Sequence, residues 1–544
     1  MSTLRGVGVS PGRAAGPVML VHDRLPEPAR EPEPADPVAE SARIHPAAQE
    51  VARHLRDRAA NASGEARAVL EVTAAMATDP ALLSAAEKAV VDRRLPAARA
   101  VFESAAQFAD ALAAAGGYLA ERVRDVEDVR DRIIAELSGL AAVGVPTTTT
   151  PSVLISRDLA PADTADLDPE MVLALVTEEG GPTSHTAILA RALGIPAVVA
   201  ARGALAAGAA GARVDGSTGT VELLAESIEP AAAAHAENRW HGTGTTADGH
   251  AVKLLANVGS ATDAAKALEA GAQGSGLFRT EFCFLDATTE PSEAQQRESY
   301  AAVLRPFAGK PVVVRTLDAG ADKPLPFLDI SAEPNPALGV RGLRVAFDRP
   351  ELLDRQLAAI VAAAGDTGAE VSVMAPMVAT PAEAAWFAER ARAAGADRVG
   401  VMVETPAAAL CAEQLLAEVD FASIGTNDLA QYTCAADRMT GALAALNDPW
   451  QPALLRLIAL LGEASGTLGK PVGVCGEAAA DPLLAGVLVG LGVSSLSMTS
   501  AALPAVGAAL AEHSLADWQR AAQQAVTAPG AAQARDRARA ALDG

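Results

Sequence analysis

The sequence predicts an α/β multidomain chain: an α/β unit carrying an inserted helical bundle, followed by a (β/α)8 TIM-type barrel. Three observations lead there. Eight short apolar runs recur beyond Thr246, mostly separated by helical segments, which is the alternation of a barrel. Between Val38 and Leu140 the pattern is wholly helical, and on either side of it short strand-like runs surround one strong helix start. A length of 544 residues exceeds what a single core organises and calls for two or three domains.

Composition excludes several classes. Acidic residues outnumber basic ones, 67 to 44, and the net charge of −23 argues against nucleic acid as a partner, because phosphate backbones select basic surfaces. The same charge suits docking of a basic protein, or simply a solubilising surface. No apolar run reaches bilayer length and the N-terminal Met-Ser-Thr-Leu-Arg-Gly lacks an apolar signal core, so a cytoplasmic chain without membrane insertion is expected. Cys283, Cys411, Cys434 and Cys475 show no paired metal-ligand spacing and fit reduced thiols.

Taken in order, residues 4–22 read as two short strands around a Gly/Pro turn, and 26–37, rich in Pro and Glu, as an exposed connection. Within 38–140, Val69, Leu70, Thr73 and Met76 share one helical face, and Val123, Val126, Val129, Ile133 and Leu137 another. Asp79-Pro80 and Leu95-Pro96 break the run where new helices can begin. Strands follow at 152–155, 172–177, 197–199 and 219–224, so 1–37 and 141–225 form one α/β unit around the 38–140 insertion. The Ala-rich, charged stretch from Glu226 to Arg239 reads as a helical linker within 226–245, and 246–544 as the barrel. Its strands are expected at 252–257, 276–279, 312–316, 371–376, 399–404, 421–425, 472–475 and 494–498.

The helix start is Gly-Gly-Pro-Thr-Ser-His, residues 180–185. Two glycines open the backbone, Thr183 or Ser184 can cap the first turn, and Gly194 with Pro196 ends the helix. His185 therefore sits where backbone donors and the helix dipole favour an anion, and phosphate arriving there would be stabilised. Taken alone, a polar His at a helix start needs no catalytic role.

Polar residues mark the C-terminal ends of the barrel strands: Asn257, Arg279, Arg315 with Asp318, Glu404, Asn427 with Asp428, and Cys475. In a barrel these converge on one rim, where catalytic groups of this fold sit. Arg279, Arg315 and Arg341 with Lys323 suit a small ligand carrying phosphate and carboxylate, since guanidinium forks match both groups. Glu404 and Asp428 are hard oxygen ligands suited to Mg²⁺, which takes a few carboxylates and completes its shell with substrate oxygens and water. Cys475 is either a small core hydrophobe or, as a thiol protonated at neutral pH, a proton donor to an enolate. A phosphate-handling rim together with His185 points to phosphoryl transfer to histidine, with the linker as hinge region.

Residues 180–188 (Gly-Gly-Pro-Thr-Ser-His-Thr-Ala-Ile), 276–282 (Gly-Leu-Phe-Arg-Thr-Glu-Phe), 315–318 (Arg-Thr-Leu-Asp) with Asp322-Lys323, 335–341 (Asn-Pro-Ala-Leu-Gly-Val-Arg), 425–432 (Gly-Thr-Asn-Asp-Leu-Ala-Gln-Tyr) and 475–477 (Cys-Gly-Glu) carry a resemblance over nearly the whole chain. The sequence resembles the enzyme I family of the bacterial phosphoenolpyruvate:sugar phosphotransferase system, the phosphoenolpyruvate-protein phosphotransferases. The resemblance implies a phosphohistidine α/β domain in which His185 accepts the phosphoryl group of phosphoenolpyruvate and passes it to a histidine of the carrier protein HPr, docked on the helical insertion. It implies that Arg279, Arg315, Arg341, Asn427 and Arg438 hold the substrate, that Glu404 and Asp428 bind Mg²⁺, that Cys475 protonates the enolate to pyruvate, and that the chain dimerises through the barrel. Pro182, Ala321 and Met439-Thr440-Gly441 depart from the family pattern, and Ala321 bears on the loop that places Lys323. Pyruvate phosphate dikinase and phosphoenolpyruvate synthase share the His domain and barrel but need a nucleotide-binding domain for which no stretch here has room. A non-catalytic regulator would lack one of His185, Glu404, Asp428 or Cys475.

Overall fold

The computed structural model describes the chain except residues 1, 11, 22–24, 62–63, 116–122, 141–144, 146–147, 149, 160–162, 164–166, 169, 182–184, 217, 232–239, 241, 285–286, 288, 321–324, 326, 329–332, 439, 441–442, 444 and 544. It divides into two compact units, Met1–His235 and Ala236–Gly544.

The first unit is built on strands β1 (Ser2–Arg5), β2 (Val7–Ser10), β3 (Arg13–Leu20), β4 (Ser152–Ser156), β5 (Val172–Thr177), β6 (Ala197–Val199), β7 (Gly211–Asp215) and β8 (Thr220–Leu224). They form one sheet in the order β1-β8-β7-β3-β4-β5-β6-β2. The centre, β3 to β6, is parallel, and its strands β4 and β5 are buried throughout, as near-continuous apolar runs covered on both faces should be. The N-terminal stretch thus supplies three strands rather than two. β7 was not expected, because Gly-Ala-Arg-Val-Asp alternates too briefly to stand out from a loop.

Between β3 and β4 the chain leaves the sheet for helices Pro37–Ser41, Ile44–Asn61, Gly64–Ala77, Pro80–Arg93, Ala97–Ala115 and Val123–Ser138. Asp79 caps the helix beginning at Pro80, its carboxylate accepting from the Ala81 and Leu82 N–H groups. The expected faces are inward: Leu70, Val129 and Ile133 lie in one apolar core with Leu55, Leu83 and Val101. Arg132 of the last helix pairs with Asp128 at 2.8 Å and with Asp163, which lies in the β4–β5 connection, so an ionic link ties the insertion to the sheet.

Residues 226–231 correct the helical-linker expectation. They are extended and bent rather than helical, Pro230 removes a donor, and Ala231 bridges Ala15 beside the sheet. The remainder of that stretch, 232–239, lies outside the described residues.

The second unit is a closed barrel of eight parallel strands: β9 (Lys253–Val258), β10 (Ser275–Arg279), β11 (Pro311–Arg315), β12 (Glu370–Val378), β13 (Val399–Val403), β14 (Phe421–Ile424), β15 (Val472–Val474) and β16 (Ser495–Met498), with β16 closing onto β9. Each falls within two residues of its expected place. Leu277, Met374, Met402, Phe421 and Cys475 cluster in the barrel interior, and the surrounding helices pack Val, Leu, Ala and aromatic side chains against the outer face. No helix among the described residues is long and apolar enough to cross a membrane.

Candidate active site

Barrel closure brings the expected strand-end residues together. Arg279 and Arg315 end β10 and β11, Glu404 follows β13, Asn427 and Asp428 open the helix Thr426–Cys434 after β14, and Cys475 follows β15. Arg341 comes from the connection after β11, where it forms a bridge with Gly320. Most of these groups are buried, Arg341 and Glu404 at 1% exposure, Asp318 at 1% and Cys475 at 3%, while Arg279 and Asn427 are half-buried.

Charge is arranged as a chain of pairs. The Arg315 guanidinium bonds Glu281 and lies 3.1 Å from Asp318, while Arg341 reaches Asp318 at 3.4 Å and Asp428 at 3.2 Å. Arg438 approaches the other Asp428 oxygen at 3.6 Å. Burial works against the charge on Arg315, yet Glu281 and Asp318 outweigh it and hold the guanidinium above its ordinary value. Arg279 has no such surplus: burial and the like charge of Arg315 push it below the usual arginine range. Both Arg315 Nε and Glu281 Oε2 are buried without a hydrogen-bond partner among the described residues, an expensive arrangement that a bound polar ligand would relieve.

Glu404 shows the complementary stress. Burial, then repulsion from Asp428 and Asp318, raises its carboxyl to about 7. Its Oε2 accepts the Met377 N–H at 2.8 Å, and Met377 holds a left-handed φ of 57° to present that donor. Gly425 packs against the same side chain so closely that a Cβ there would lie 2.7 Å from Glu404 Cγ. Crowded carboxylate oxygens of this kind fit a divalent cation, and Glu404 and Asp428 are the pair that would hold Mg²⁺, with substrate oxygens and water completing the shell.

Cys475 lies against the Ile424 carbonyl, its Sγ donating at 3.6 Å, and the Asn257 amide donates to the Cys475 carbonyl at 3.1 Å. Burial pushes the thiol up to about 11, above the value expected from sequence, so it stays protonated across the neutral range. Asn427 accepts the Glu477 N–H at 3.2 Å. His185 is the first residue of the helix His185–Leu193, as expected, while its side chain lies outside the described residues, as do Lys323, Pro182, Ala321, Met439 and Gly441.

Three site residues escaped sequence reasoning. Glu281 stands two places beyond Arg279 in Arg-Thr-Glu, and Tyr432 lies one helical turn beyond Asp428, where its hydroxyl accepts from Arg341 at 3.2 Å; both spacings were available as signals. Met377 acts through its backbone and left no trace in the sequence.

Three family profiles match the chain: PEP-utilising enzyme, N-terminal, at residues 5–122; PEP-utilising enzyme, mobile domain, at 148–219; and PEP-utilising enzyme, PEP-binding domain, at 234–515. A phosphoenolpyruvate-protein phosphotransferase of Streptomyces coelicolor is 54% identical over 558 aligned positions, covering all of both chains. Proteins of the same description from Haloferax volcanii and Latilactobacillus sakei are 41% and 38% identical, over 97% and 92% of both chains respectively. The chain therefore belongs to the phosphoenolpyruvate-utilising enzymes and, within them, to the enzyme I family of phosphoenolpyruvate-protein phosphotransferases.

Proposed function

We propose that the chain moves the phosphoryl group of phosphoenolpyruvate to His185 and then to a histidine of HPr, releasing pyruvate, as the first step of a sugar phosphotransferase system. The observation that carries this reading is the buried rim of paired arginines and carboxylates at the C-terminal ends of the barrel strands, the position from which this fold does its chemistry. Arg279, Arg315, Arg341, Asn427, Arg438 and Lys323 bind the substrate phosphate and carboxylate. Glu404 and Asp428 would hold Mg²⁺, which when bound would supply charge neutralisation to the phosphoryl group. The P–O bond to the enolate oxygen breaks as the N–P bond to His185 forms, and the Cys475 thiol gives its proton to the methylene carbon of the enolate. Water then reprotonates the thiolate.

In this reading residues 1–37 and 141–225 are the phosphohistidine domain, 38–140 the HPr-binding insertion, 226–245 the linker and 246–544 the substrate-binding barrel. The enzyme is cytoplasmic and dimerises through the barrel, which sedimentation of the full chain and of a barrel fragment checks. Labelled phosphoenolpyruvate with Mg²⁺ is expected to give an acid-labile phosphohistidine that discharges onto HPr. Label retained by His185→Ala, or no phosphohistidine at all, refutes the proposal.

A further inference from the structure

We infer that Gln356 is a positioning residue for the substrate-binding arginines, through a buried hydrogen-bond network behind the rim. The inference rests on the site reading above and adds a residue to it. Gln356, 2% exposed, lies on the helix Pro350–Thr367, outside the barrel strands. Its Oε1 accepts the Leu317 N–H at 3.0 Å. Its Nε2 donates to the Thr280 hydroxyl at 3.0 Å and to the Tyr300 hydroxyl at 3.0 Å. Thr280 passes the network on by donating to the Arg315 carbonyl at 2.8 Å, and Tyr300 donates to the Gln296 side chain at 3.1 Å.

The direction of every bond is determined. A backbone N–H can only donate, so the amide oxygen faces Leu317 and both amide hydrogens face the hydroxyls. Each hydroxyl spends its own hydrogen elsewhere and accepts from Gln356. One amide thereby ties together Thr280, which follows Arg279; Arg315 itself, by way of the Thr280 hydroxyl; and Leu317, which precedes Asp318. These are the ends of two adjacent strands, and they carry two guanidiniums and the carboxylate that pairs with Arg315. With Thr280 and Tyr300 both at 0% exposure, water cannot substitute for a lost partner.

The test uses full-length protein, steady-state turnover of phosphoenolpyruvate with HPr, and thermal melts. Gln356→Leu keeps the volume and removes all three bonds. Its KM for phosphoenolpyruvate is expected to rise roughly tenfold or more and kcat/KM to fall by 10- to 100-fold, because the arginines lose their setting by a fraction of an ångström. Tyr300→Phe, which keeps the ring against Phe278 and removes only a hydroxyl that bonds neither strand end, is expected to change KM much less. Leu461→Ala, in the outer helix Pro452–Leu468, is the stability control, since a loss of folded fraction lowers apparent kcat without raising KM. Should Gln356→Leu not fold, Gln356→Glu answers the same question: it retains the acceptor for Leu317 but turns a carboxylate oxygen toward the Thr280 hydroxyl oxygen. Wild-type KM in the folded Gln356 variant, with Arg315→Lys still impaired, overturns the positioning role and leaves the site reading intact. Wild-type kinetics in Arg315→Lys as well overturn the site reading itself.

Discussion

Adding one methyl group at Gly425 tests how tightly the Glu404 carboxylate is seated. The backbone there, φ −87° and ψ 84°, is open to alanine, so Gly425→Ala introduces no backbone strain and its whole effect is the contact. The new Cβ would lie 2.7 Å from both Cγ and Oε1 of Glu404, where ordinary carbon contacts begin near 3.4 Å. Glu404 must therefore retreat by roughly 0.7 Å or the strand must yield. Both resist: the carboxylate is anchored by the Met377 N–H at 2.8 Å, and Gly425 donates to the Val403 carbonyl at 3.1 Å. Overpacking of this size costs about 1–3 kcal/mol, a drop of several degrees in melting temperature. The functional loss should be larger than the stability loss, because a displacement approaching 1 Å in a group that positions reactants costs about 100-fold in rate. Steady-state phosphorylation measured across a Mg²⁺ series well below the melting temperature separates the two. A kcat and an apparent Mg²⁺ affinity both within about twofold of the parent refute the close-seating argument.

Met377→Val replaces a left-handed residue with a β-branched one. It is expected to cost about 1–2 kcal/mol and to weaken apparent Mg²⁺ affinity, as read by melts and by Mg²⁺ titration of turnover. The Cys475 thiol, raised from 9.0 to about 11, binds its proton more tightly in the folded state; its contribution to stability is complete below pH 9 and is lost as pH rises through 11. That amounts to about 3 kcal/mol, so melts between pH 8 and 11 should fall steeply for the parent and less for Cys475→Ser, which should also slow pyruvate release. Arg132→Ala leaves Asp128 and Asp163, 5% and 4% exposed, without their shared cation, and a loss of about 3–5 kcal/mol is expected in the melt of the first unit.

Much of the barrel was readable because its strands are short apolar runs whose ends carry polar residues, a contrast that survives without knowledge of partners. That contrast alone marked Arg279, Arg315, Glu404, Asp428 and Cys475 as candidates, and the closed barrel brings them to one rim. Arg438 needed a family resemblance, since it lies in a loop after the helix Thr426–Cys434, where no strand end draws attention to it. The Glu281 and Tyr432 spacings were visible without their meaning and Gln356 gave no signal, because the importance of all three lies in whom they bond, and Arg315, Arg341, Thr280 and Leu317 become their partners only once the barrel closes. The helical expectation for 226–231 failed because alanine propensity is a weak force beside Pro230 and a bridge to Ala15.

The paired rim has a consequence for the order in which ligands arrive. Among the described residues, Arg315, Arg341 and Arg438 are paired with Glu281, Asp318 and Asp428, and the Glu404 carboxyl beside them is raised to about 7, so much of the cationic charge is already offset before anything enters. A phosphate monoester that also bears a carboxylate brings about three negative charges and, alone, would overdraw that balance. Accompanied by a divalent cation it adds only about one. Metal and substrate should each raise the affinity of the other by the same factor, as reciprocity of coupled binding demands, and neither should bind well by itself. On the proposed reading the rim would work as a coincidence detector, admitting the phosphoryl donor only together with the ion that would make its transfer possible.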